Sequence, residues 1–178
     1  MLSYRDFLGY AESFSLEAGR EIRSGEYAER QDLVTASLLF SWIAIESFIN
    51  NMMLDFVRLP EGELLIHERA FLAERAIEFV ESGRQAGEFR ISNRVDYIPL
   101  EHKILFLIAK FGRGTRLNKG DRLWQRFQMV KQKRDQITHP RKSDETPVTL
   151  EDAADALEVA KAIINTVSER IWGESVTF

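Results

Sequence analysis

The sequence predicts an all-α protein: an antiparallel bundle of about five to six helices in one domain over residues 1–178. Two observations carry this expectation. Apolar residues recur at alternating spacings of three and four along most of the chain, while the strict alternation of a half-buried strand is almost absent. Glycine and proline fall between these periodic stretches, where helices should stop.

The first helix is expected over residues 3–23, with Phe7, Leu8, Phe14 and Leu16 on its apolar face, ending at Ser24-Gly25. A second, longer helix runs from about Glu26 to Val57. Around Leu38 to Met53 it is apolar on nearly every face, which suits the central helix of a bundle. Pro60 and Gly62 close it. Glu63 to Glu81 reads as a third helix, through Leu64, Phe71, Leu72, Ala76, Ile77 and Val80. Residues 82–98 read as a long irregular connection with a short extended piece at Phe89-Arg90-Ile91. Pro99 fits the first turn of a fourth helix ending at Phe111.

The next helix spans Asp121 to Thr138. Leu123, Phe127, Val130, Arg134 and Ile137 form one seam, and Pro140 disfavours helical geometry at His139. Thr149, with Asp152 three residues on, resembles a capping box opening the last helix, through Leu150, Ala153, Leu157, Ala160, Ile164, Val167 and Ile171.

Composition narrows the function classes. With no cysteine, disulfides and thiolate sites are excluded, which fits a cytoplasmic setting. The N-terminal residues lack the layout of a signal peptide. The apolar run Leu38–Ile49 falls short of the roughly 20 residues a membrane span needs, so no membrane partner is expected. His67, His102 and His139 sit in separate elements and none begins a HExxH pattern, so no metal or other cofactor is expected. The chain carries neither a phosphate-binding loop nor a Gly-x-Ser-x-Gly elbow.

The net charge of −4 hides an uneven distribution. Between Lys110 and Lys142 stand 11 basic residues and two acidic ones, on an otherwise acidic chain. Such a block is what a polyanion site needs; a solvated basic face or a contact with an acidic partner also fits it. Arg113, Arg116, Lys131, Lys133, Arg141 and Lys142 are the candidate residues for binding such a polyanion.

Arg134 lies about 20° from Leu123 around the helix, squarely on the apolar seam. A buried arginine requires a partner. Glu46, from the long apolar helix, is one candidate, with His139 then simply capping the helix C-terminus. Asp135 and His139 are four apart and share a flank.

The segment Arg134-Asp135-Gln136-Ile137-Thr138-His139-Pro140 resembles the signature of the HEPN superfamily: an Arg followed by a polar residue, then a His near the end of a late helix. The helix Ser41-Trp42-Ile43-Ala44-Ile45-Glu46-Ser47-Phe48-Ile49-Asn50 resembles that superfamily's early helix with its embedded acid. The resemblance covers roughly residue 25 to the end. It implies a homodimer in which two Arg/His pairs share one cleft. It also implies a metal-independent endoribonuclease of toxin–antitoxin or other defence systems, or a relative that has lost activity and binds nucleotide, RNA or a partner protein. One toxin subgroup carries a tyrosine two residues after the histidine, modified by a nucleotidyltransferase antitoxin; Arg141 stands there in this chain.

The chemistry follows from the residue types. Imidazole, with an ordinary pKa of about 6.5, can take the proton of an RNA 2′-hydroxyl or protonate the leaving 5′-oxygen. A guanidinium can fork onto the non-bridging phosphate oxygens. The expected catalytic residues are therefore Arg134, His139 and Asp135, with Asp135 either orienting the imidazole or lying on the helix surface. Glu46 and Asn50, four apart, are the supporting residues expected to reach Arg134.

Overall fold

The computed structural model describes residues 2–24, 30–84, 86–114, 116–140 and 147–178. Along them run α1 (Tyr4–Ser24), α2 (Gln31–Phe56), α3 (Ile66–Leu72), β1 (Arg75–Phe79), β2 (Phe89–Val95), α4 (Leu100–Phe111), α5 (Arg122–Thr138) and α6 (Leu150–Trp172). The protein is thus mostly helical, with one small two-stranded sheet. By compactness the chain divides into two units: Met1–Phe48 with Ile108–Phe178, and Ile49–Leu107.

The first unit is built on helical periodicity. Trp42, Phe127, Leu38, Ile45, Val159, Ile163 and Ile164 are fully buried. The Trp42 and Phe127 rings stack at 5.3 Å, and Trp124 packs on Phe127 at 5.1 Å. Trp124, rather than Leu123, is the buried residue in the first turn of α5; Phe127 and Val130 are buried as the seam predicts. α1 is held by aromatic contacts (Tyr4 on Phe48 at 5.1 Å, Phe14 on Phe40 at 5.5 Å). The buried Ser37 hydroxyl donates to the Ala11 carbonyl at 2.7 Å.

α6 opens with the anticipated capping box: the Asp152 amide donates to Thr149 Oγ1 at 3.1 Å, and the Thr149 amide to Asp152 Oδ2 at 2.8 Å. Such a cap satisfies two otherwise orphaned donors of the first turn. Gly173, with φ of 82°, ends the helix in the left-handed conformation that favours glycine.

α2 is, among the described residues, a helix long and apolar enough by length and composition to cross a membrane. The helix extends beyond the apolar run Leu38–Ile49 at both ends. The helix has 26 residues, and it stays strongly apolar despite Ser41, Glu46 and Ser47. Of its most apolar stretch 56% is buried inside the protein, the pattern of a central core helix.

The second unit departs from the predicted helices. The expected helix from Glu63 to Glu81 stops at Leu72, and residues 75–79 form a strand. Glu74 takes a φ of 51°, which no continuing α-helix accommodates, and its carbonyl accepts from the Asp96 amide at 3.0 Å. The extended piece expected at Phe89-Arg90-Ile91 begins a strand that continues to Val95. β1 and β2 pair antiparallel, with Ile77 opposite Ile91, Glu78 opposite Arg90 and Phe79 opposite Phe89. A short apolar run fits periods of 2 and 3.6 alike, and here a partner strand decides. Arg69 of α3 donates to the carbonyls of Val57, Leu59 and Pro60, satisfying backbone acceptors just past the end of α2.

Candidate functional site at the end of α5

Helix α5 ends at Thr138, because Pro140 restrains His139 to an extended φ of −133°. The His139 amide still donates to the Asp135 carbonyl at 2.9 Å, so the imidazole leaves from the last turn of the helix. His139 is exposed to solvent. Arg134, five residues earlier, retains 18% side-chain exposure.

Three groups hold the Arg134 side chain. Its Nη1 lies 2.9 Å from Asp135 Oδ1, and its Nη2 lies 3.6 Å from Glu46 Oε1 of α2. The guanidinium carbon sits 4.5 Å above the Trp42 ring, in cation–π range. Trp42 in turn donates from Nε1 to Glu46 Oε1 at 2.7 Å, fixing the carboxylate that faces the arginine. Among the described residues, the buried Arg134 Nε has no hydrogen-bond partner.

Of the residues expected from sequence, Arg134, Asp135 and Glu46 come together. Asp135 directs its carboxylate to Arg134, and among the described residues His139 makes no side-chain hydrogen bond to it. Asn50 belongs to the second unit, where its Oδ1 accepts from Lys103 Nζ at 2.9 Å. Lys131 is half-buried, and Lys133 Nζ pairs with Asp152 Oδ2 at 3.1 Å. Arg113 and Arg116 are exposed. Arg141 and Lys142 lie outside the described residues.

The basic block is therefore partly neutralised from within. Arg126 pairs with both Asp155 and Glu158 of α6, and those carboxylates hold its pKa above the ordinary arginine value. At Asp152, burial pushes the carboxyl up. Hydrogen bonds from the Thr149 amide and hydroxyl and from Lys133 outweigh it and leave the pKa below the usual aspartate value. The exposed remainder includes Arg113, Arg116, Lys119 and Arg122.

Sequence reasoning missed Trp42 as the platform under Arg134. Its signal was present, since Trp42 and Glu46 are four apart on one helical face. It missed the Arg126 pairing because Asp155 and Glu158 lie on another helix. Among the described residues no group of three or more His, Asp or Glu is arranged to hold a metal ion. Comparison with protein-family models, with curated proteins and with solved structures gives no match.

Proposed function

We propose that the protein is a HEPN-like, metal-independent endoribonuclease acting as a homodimer, with Arg134 and His139 of each copy facing one RNA-binding cleft. The observation that carries this reading is the meeting of Arg134 and Glu46. The two segments that resemble the HEPN superfamily are separated by more than 80 residues, yet their charged members approach to 3.6 Å. An exposed imidazole stands one turn beyond, at the helix end.

In this mechanism one His139 imidazole accepts the proton of an RNA 2′-hydroxyl as that oxygen attacks the adjacent phosphorus. The symmetry-related imidazole protonates the departing 5′-oxygen as the phosphorus–oxygen bond breaks. The products are a 2′,3′-cyclic phosphate and a 5′-hydroxyl. Arg134 contributes its positive charge beside a non-bridging oxygen, stabilising charge that builds in the transition state. Glu46 and Trp42 position the guanidinium rather than touch the RNA. A toxin or defence role, with a protein antitoxin as partner, is the biological setting this activity would suit.

A second reading draws on the same geometry. Two carboxylates already offset the Arg134 charge, as expected of a structural ion pair in a silent module that binds RNA, nucleotide or a protein partner. Incubation of the purified protein with single-stranded RNA in EDTA decides. Cleavage leaving cyclic-phosphate ends, abolished by His139→Ala with the helical circular dichroism retained, is the expected result. RNA that is bound but stays intact selects the silent module. A monomer at micromolar concentration in analytical ultracentrifugation rules out the shared cleft.

A further inference from the structure

The second unit contains an open cleft of about 320 Å³. It brings together His67 of α3 and His102 of α4, 35 positions apart in the sequence, with Arg75, Asp96 and Tyr97 from the two strand ends. Phe71, half-buried against Phe106 at 4.5 Å, forms part of an otherwise largely apolar wall, and Ile98 beside it is buried.

Arg75 and Asp96 are one ladder step apart, since Arg75 is paired with Val95. Both line the cleft, yet no ion pair joins them or links either to another group among the described residues. Arg75 donates from Nη1 to the Asn93 carbonyl at 2.5 Å, leaving its other N–H groups without a partner among those residues. The Asp96 amide is tied to Glu74, while its carboxylate is unengaged among the described residues. Neither the His67 nor the His102 imidazole has a side-chain partner among the described residues. Tyr97 is 77% exposed, with no ring contact among the described residues.

We propose that this cleft binds a free α-amino acid with an aromatic side chain. Its carboxylate meets the Arg75 guanidinium, a charge-assisted pairing that planar forks favour. The ammonium meets Asp96, and the ring lies between Phe71 and Tyr97, whose faces offer stacking or edge interactions. The imidazoles of His67 and His102 supply further hydrogen bonds to the carboxylate. The volume suits a ligand of this size, at the lower end of small-molecule pockets. A simple anion would leave Asp96 repelling it, and a simple cation would leave Arg75 doing so; a zwitterion satisfies both. Such binding is independent of RNA cleavage.

The test is a titration of the full chain, followed through the imidazole carbon-bound protons by NMR at constant pH. The sequence has three histidines, so His139, in the other unit, serves as an internal reference. Phenylalanine should shift the His67 and His102 resonances saturably and leave His139 unmoved. Phenylpropionate lacks the ammonium, phenethylamine the carboxylate and alanine the ring; each should bind about tenfold more weakly or worse, the effect of removing one directed interaction. Asp96→Asn should erase the preference for phenylalanine over phenylpropionate, and Arg75→Gln that over phenethylamine. Both positions are exposed, so the fold should survive. Equal binding of the four compounds, or shifts at His139 as large as those at His67 and His102, overturns the proposal. Static resonances at saturating phenylalanine do the same.

Discussion

Arg134 and His139 occupy opposite physical situations although they are five residues apart. Arg134 is mostly buried, flanked by Glu46 and Asp135 over the Trp42 ring. Arg134→Met removes the cation that both carboxylates face. It should destabilise the protein by about 1–3 kcal/mol in urea unfolding, because breaking a half-buried pair strands its partners. His139→Ala, at an exposed helix end, should stay within about 0.5 kcal/mol of the parent. Both substitutions should abolish RNA cleavage, so stability and activity part company at His139 and move together at Arg134. Helical spacing alone made Arg134 and Glu46 legible as partners, because it set the arginine on an apolar seam. Asn50 shows where the same spacing fails. It lies four residues from Glu46, yet Lys103, which is 6% exposed and also paired with Glu74, engages its side chain.

Among the elements, α6 is the most fully specified by its own residues. Its capping box was readable from Thr149 and Asp152, since both partners lie within three positions. Thr149→Val should cost about 1 kcal/mol, the usual worth of an N-cap, measured by thermal or urea unfolding. The Asp152 carboxyl titrates lower in the folded chain than in the unfolded one. Its stabilisation is therefore complete above the unfolded value of about 3.9 and is lost as pH falls through the depressed folded value. The deficit of Asp152→Asn relative to the parent should accordingly be clear at pH 7 and shrink on acidification below about pH 4. The hairpin behaves differently. Phe79 and Phe89 pack on one another at 5.5 Å but remain 53% and 62% exposed. A two-stranded sheet with so little cover has little packing to break when it opens. Amide exchange in β1 and β2 should be faster by orders of magnitude than in the buried middle of α6, where Val159, Ala160, Ile163 and Ile164 are inaccessible. Equal protection would refute that ranking.

For the whole molecule, charge is the property most changed by folding. The sequence shows a basic block between Lys110 and Lys142, whereas the fold pairs Arg126 with Asp155 and Glu158, and Lys133 with Asp152. Neutralising Arg113, Arg116, Lys119 and Arg122 together should weaken RNA binding and flatten its salt dependence, by about one unit of slope for each phosphate no longer neutralised. Arg126→Gln should chiefly lower stability. If the fourfold variant keeps the parent's salt slope, the polyanion surface lies elsewhere. Outside residues 63–81 the sequence by itself determined the helices, together with the stop at Thr138 and the cap of α6, because helical bonds and caps join residues at most a few positions apart. Only the tertiary structure decided that residues 75–79 form a strand, that Trp42 carries Arg134, and which basic residues are neutralised. Those outcomes depend on partners ten or more positions away, whose approach no local period encodes.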